Sequence, residues 1–88
     1  MQPSLHHDVE AFLEAFPQVR PSQIGKLALR DSQFVADLRI GRKVRPGTAK
    51  KVRDWMANFA RAEEQRAAER REALNRIKEL AAGGTDPQ

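Results

Sequence analysis

Apolar residues recur at helical spacing in four stretches of the chain. In "HHDVEAFLEAFP" Val9, Phe12, Leu13 and Phe16 stand at i, i+3, i+4 and i+7, one stripe of a helix that Pro17 must end because proline cannot continue the hydrogen-bond ladder. Asp8 and Glu10 suit its first turn, where the helix dipole favours negative charge. "PSQIGKLALRD" offers a short face of Ile24, Leu27 and Ala28, with Ser22 as the expected N-cap. Gly25 lies inside that helix at a cost of about 1 kcal/mol relative to Ala, which close approach of another backbone would explain. "DSQFVADLRIG" predicts a third helix over 31–40 with Asp31 as cap, Phe34, Val35 and Leu38 inward, and Gly41 as its stop. Gln33, Ala36 and Ile40 lie opposite, flanked by Ser32 and Asp37.

The fourth stretch is long. No Gly or Pro interrupts the chain from Thr48, its expected cap, to Ala82. Val52, Trp55, Met56 and Phe59 form a strong stripe over its first turns and are expected in the core. From Arg61 to Glu72 the residues are Ala, Glu, Arg and Gln, good helix formers with little to bury. Leu74, Ile77, Leu80 and Ala81 make a second small patch, and Gly83-Gly84 stops the helix. An unbroken helix of this length runs on the order of 50 Å, more than so small a domain covers, so its far half is expected to protrude or to meet a partner. A weak seven-residue repeat runs along it, Ala60, Ala67, Leu74 and Ala81 at one position and Met56, Glu63, Arg70 and Ile77 at the other; the two charged residues interrupt the seam. The pattern predicts an all-α protein with a compact domain of about four helices over 1–60, a helical extension over 61–82 suited to dimerisation, and a frayed tail over 83–88.

Charge adds a direction to this outline. Residues 1–19 hold three acids and no Lys or Arg; residues 20–53 hold ten bases and two acids; residues 54–88 hold six bases and seven acids. The positive charge is therefore concentrated in the middle, and most sharply in "LRIGRKVRPGTAKKV", fifteen residues from Leu38 to Val52 with six cations and no acid. A segregated patch of this kind is an electrostatic footprint for a polyanion. With no cysteine there is no disulfide framework, thiol nucleophile or Cys-based zinc site. His6 and His7 are adjacent and cannot face one site on a helix, so no metal or cofactor is expected. The carboxylates are dispersed along helices and no phosphate-cradling glycine loop or Ser/His/Asp arrangement is present, so no enzymatic activity is expected. No apolar run approaches the ~18 residues of a membrane span, and no signal peptide is visible; a cytoplasmic location is the expectation.

Two short helices joined by a tight turn, the second followed by a basic loop, describe a helix-turn-helix. "SQIGKLALRDSQFVADLRIGRKVRPGT" resembles the Cro/CI (lambda-repressor-like, Xre) DNA-binding family over roughly residues 20–59. Gly25 matches the family's small residue facing the third helix, Asp31 the polar cap, Val35 and Leu38 the buried pair, Gly41 the glycine, "RKVRP" the basic loop and Thr48 the next cap. The chain departs from the pattern at Leu29, where the family's turn usually holds Gly, and by one extra residue before Pro46.

The resemblance implies a recognition helix in the major groove. Ser32, Gln33 and Ala36 would meet base edges, Gln33 pairing bidentately with adenine and Ala36 touching a thymine methyl, while Asp37 could accept from a cytosine amine or pair with Arg39 or Arg30. Arg39, Arg42, Lys43, Arg45 and Lys50 flank the helix toward phosphates, and the start of the second helix, with Ser22 and Gln23, offers a further phosphate clamp. The expectation is a sequence-specific regulator of transcription that binds double-stranded DNA as a homodimer, a small repressor of phage or bacterial type. Two alternatives stand beside it: a protein-interaction or antitoxin-like module working through the long helix, and a nonspecific architectural DNA binder.

Overall fold

The computed structural model describes residues 4–83, with side chains described through residue 80. It is all-α, with α1 (Leu5–Ala15), α2 (Pro21–Leu29), α3 (Phe34–Arg39) and a long α4 (Pro46–Gly83). The chain divides after Asn58 into two compact units. The first holds α1, α2, α3 and the opening turns of α4; the second is the remainder of α4. Gly83, the first residue of the expected 83–88 tail, is the last residue of α4; the rest of that tail and residues 1–3 lie outside the described residues.

The first unit is built on a small apolar core. Val9, Ile24, Phe34, Val35 and Val52 are fully buried, with Leu5, Phe12, Val19, Leu38 and Met56 nearly so. The inward stripe of α3 is the one its spacing predicts. Leu5 and Val19 also join the core: Leu5 extends the α1 stripe by one turn, four positions before Val9, while Val19 lies between α1 and α2, where helical spacing does not apply. Leu27, expected inward, is 60% exposed, so α2 buries Ile24 and Gly25 and leaves Leu27 in solvent. Trp55 and Phe59 are half-buried. The Trp55 ring meets Phe12 edge-on at a centroid distance of 5.7 Å, and Phe12 lies 4.9 Å from Phe16, an aromatic chain that joins α1 to α4 with the tilted geometry such pairs prefer.

Pro17 follows the end of α1 as expected, but two helix starts differ from expectation because a proline takes the first position. Ser22 does not cap α2: Pro21 takes the first helical position, its missing N–H being one that no helix start needs, and Arg20 becomes the N-cap. The Arg20 N–H donates instead to Gln23 Oε1 at 2.8 Å. The same preference moves the start of α4 from Thr48 to Pro46, with the Ala49 N–H bonding the Arg45 carbonyl at 2.9 Å. At α1 the Ser4 hydroxyl accepts from the His7 N–H at 3.1 Å, a cap not anticipated in the sequence pattern. Regular helix in α3 begins at Phe34, three residues later than expected, because Asp31 organises a turn first: its carboxylate accepts from the Gln33 N–H at 3.1 Å and its carbonyl from the Phe34 N–H at 3.1 Å. Gly41 ends α3 as predicted, with φ +100° and the paired Gly41 N–H to Leu38 and Arg42 N–H to Asp37 bonds of a Schellman motif.

Two positions in the α2–α3 connection decide its geometry. An added Cβ on Gly25 would lie 2.1 Å from the Asp31 carbonyl oxygen and 2.8 Å from Phe34 Cβ. The Asp31 N–H also donates to the Gly25 carbonyl at 3.1 Å. The glycine thus lets the chain turn back directly over α2 and start α3 against it. Arg30, not Leu29, takes the left-handed conformation that closes α2, at φ 58° and ψ 35°. For a residue with a Cβ that conformation costs about 1–2 kcal/mol. Arg30→Gly is expected to raise stability by about 1 kcal/mol, the strain relief being partly offset by a more flexible unfolded chain; chemical denaturation with an unchanged m-value would measure it. A loss of stability would mean that the Arg30 side chain contributes more than the strain removes.

Candidate nucleic-acid interface

With Phe34, Val35 and Leu38 buried, α3 turns Gln33, Ala36 and Ile40 outward, and Ser32 precedes them in the turn, also exposed. Ile40 is 85% exposed, an unusual position for a large apolar side chain. The outer face of this turn and helix therefore carries one hydroxyl, one amide and two apolar groups that the fold leaves uncovered. Its rigidity comes from below. The element is short, and a helix of this length holds its shape through packing more than through its own hydrogen bonds.

The cations around α3 are not equivalent. Arg39 reaches α1, where its Nε and Nη2 donate to the two carboxylate oxygens of Glu10 at 2.7 and 3.0 Å. This two-pronged bond holds the Glu10 carboxyl below its ordinary pKa, with a smaller contribution from His6, which sits 3.0 Å away. Glu10 in turn raises Arg39. Arg42 folds back over α3: its guanidinium carbon lies 5.2 Å from the Phe34 ring centroid, and Nη1 donates to Asp31 at 3.0 Å and to Asp37 at 3.4 Å. Asp37 thus pairs with Arg42 instead of the expected Arg39 or Arg30. Lys50 pairs with Asp54 one turn along α4 at 2.7 Å, and Arg53 with Asp8 at 2.9 Å.

Lys51 is exposed on α4 and forms no ion pair with any described residue, which leaves Lys43 and Arg45. Both are exposed in the loop between α3 and α4, and neither forms an ion pair with any described residue. With Arg42, Val44 and Thr48 they line a shallow recess beside the start of α4. The Gly47 and Thr48 N–H groups fall in the first turn of that helix, where amides have no partner within the helix. Ser22 and Gln23 are exposed in the first turn of α2, but the Gln23 carbonyl oxygen is committed to the Arg20 N–H, leaving its amide NH2 to donate.

The Glu10–Arg39 bond has a pH signature. Because the folded-state pKa of Glu10 is depressed, its contribution is fully present above the unfolded value of about 4.3 and is lost as pH falls through the lower folded value. Stability should decline with acid in that window, and Glu10→Gln should remove part of the decline. A pH titration of thermal unfolding in both proteins reads the difference; parallel curves would mean that the bond is too solvated to matter.

No family model, curated protein or solved structure matches the chain.

Among the described residues no group of three or more His, Asp or Glu is placed to hold a metal ion, and no helix is long and apolar enough to cross a membrane. Two features escape the sequence pattern. The capture of Arg39 by Glu10 spans 29 positions, and no local spacing announces it. The folding of Arg42 onto Asp31, Asp37 and Phe34 depends on the Schellman turn at Gly41, which returns the chain toward the helix it has just left.

Proposed function

We propose that the first unit is a helix-turn-helix module that binds duplex DNA with α3 in the major groove, and that the protein regulates transcription as a homodimer. The observation that carries the reading is the placement of the uncovered Ser32, Gln33, Ala36 and Ile40 face immediately ahead of a loop whose Lys43 and Arg45 have no acidic partner among the described residues. Base edges and phosphates are presented by duplex DNA at that spacing: a short helix fits the major groove while flanking cations meet the backbone.

Each residue then has a defined task. Gln33 donates and accepts at an adenine edge, Ser32 meets a base or a phosphate, and the Ala36 methyl and Ile40 side chain meet thymine methyls. Lys43, Arg45 and the first-turn amides of α4 hold phosphates and set register. Arg42 braces α3 through Asp31 and Asp37, so its contribution to affinity is smaller than its charge suggests. Arg39 is held by Glu10, and a phosphate would have to compete for it. Lys50 is shared with Asp54.

Selection of bound sites from a random duplex library tests the reading most directly: a recovered motif supports it, and binding without any preference favours an architectural role. On the recovered site Gln33→Ala should cost about 1–3 kcal/mol, with a much smaller loss on unrelated duplex. Equal losses on both would take Gln33 out of base recognition.

A further inference from the structure

The second unit leaves Leu74, Ile77 and Leu80 exposed by 50%, 60% and 73%. They lie on one side of a helix whose other residues from 61 onward are almost all charged or Ala. We infer that Leu74 and Ile77 are covered by the same segment of a second copy, running antiparallel, with the pair centred between Ala68 and Glu69 and Leu80 at its edge. The inference rests on the homodimer of the proposed function and is independent of DNA binding.

The direction follows from charge. The seam of the seven-residue repeat consists of Ala60, Glu63, Ala67, Arg70, Leu74 and Ile77. In a parallel, in-register pair each seam residue faces its own copy, so Glu63 meets Glu63 of the second chain and Arg70 meets Arg70. The flanking positions then bring Arg66 against Arg71 of the other chain, a third like-charge meeting, and the two-fold axis repeats it. Burying like charges opposite one another costs more than this short apolar face returns.

Reversing one chain removes all three conflicts. With the axis between Ala68 and Glu69, Ala60 faces Ile77 of the second copy, Glu63 faces Leu74, and Ala67 faces the aliphatic stem of Arg70. Small residues then stand opposite large ones at the two ends, and the backbones can approach. Glu64 comes beside Arg71 of the other chain, twice by symmetry. Glu63 lies about one helical turn from Arg70 of the other chain, within reach of two long side chains. Glu63 accepts from Arg66 Nη2 on its own helix at 2.5 Å, an i,i+3 pair that Arg70 of the second copy would join. A shifted register that brings Arg71 against Arg71 loses this complementarity.

The chain has no cysteine, so single cysteines can report the direction. Full-length Ile77→Cys should form no covalent dimer on mild oxidation, whereas an equimolar mixture with full-length Ala60→Cys should give the mixed covalent dimer. Charge variants supply a second reading by light scattering at tens of micromolar. Arg71→Glu should weaken the dimer by about tenfold, because two attractive pairs become repulsive, and adding Glu64→Arg to it should restore dimerisation. In a parallel pair Arg71→Glu would instead relieve the repulsion with Arg66 and strengthen association. A monomeric wild-type protein at that concentration overturns the inference, as does efficient self-cross-linking of Ile77→Cys. Absence of DNA binding in a protein that passes these tests would end the proposed function and leave the antiparallel pair standing.

Discussion

Gly25→Ala should destabilise the protein by about 2 kcal/mol, and Gly25→Leu by about 3 kcal/mol or enough to prevent folding. On helix propensity alone both changes should help, since Gly inside a helix costs about 1 kcal/mol relative to Ala. The opposing effect is steric and larger. The new Cβ would sit 2.1 Å from the Asp31 carbonyl oxygen, a backbone atom with no rotamer to change, and 2.8 Å from Phe34 Cβ. Relief requires the α2–α3 connection to open, which would disturb the Asp31 N–H to Gly25 carbonyl bond and the fully buried Phe34. Gly47 is the internal control: a Cβ there meets nothing within 4 Å, so Gly47→Ala in the first turn of α4 should be neutral or stabilising by up to about 1 kcal/mol. Urea denaturation of the three variants decides the matter. A Gly25→Ala protein as stable as the wild type would show that the turn relaxes freely, and the rigid placement of α3 would then have no basis.

Replacing Lys43 and Arg45 together by Gln should weaken binding to every duplex about equally, by roughly 30-fold near 0.15 M salt. The figure assumes one phosphate per side chain, each releasing about 0.9 counterion, so the slope of log K against log salt should flatten by about 1.8. Arg42→Gln should behave differently. Its charge is balanced by Asp31 and Asp37 at 3.0 and 3.4 Å, so the loss of affinity should be smaller and accompanied by a loss of stability as α3 loses its brace. Asp37→Asn gives the opposite sign: with one acid removed, Arg42 is freer to meet a phosphate, and binding to unrelated duplex should tighten. A salt slope unchanged in the Lys43/Arg45 variant would remove the loop from the interface.

The local elements of this protein are legible because their causes are local. Phe34, Val35 and Leu38 stand at a spacing that can share one face only in a helix, and they are buried together. Gly41 stops α3 through its own backbone freedom, and an isolated glycine such as Gly25 inside a helical stretch signals a close approach. The errors at helix starts are also local: Pro21 and Pro46 displace Ser22 and Thr48 as the boundary because proline fits the first helical position better than its neighbours cap it. A polar residue near a boundary is a weaker signal than a proline beside it.

The charges are where a linear reading stops. Six cations from Leu38 to Val52 look alike along the chain. Folding divides them, because Glu10, Asp31, Asp37 and Asp54 are brought to particular members of the set: Arg39 to α1, Arg42 back onto α3, Lys50 to its own helix, with Lys43 and Arg45 left facing solvent in the loop and Lys51 on α4. The helices, their inward faces and the concentration of positive charge are properties of spacing and composition, which any local stretch carries within itself. Which cation is neutralised and which stays available depends on carboxylates up to 29 positions away, and an ion pair forms only where the fold brings the two groups within a few ångströms.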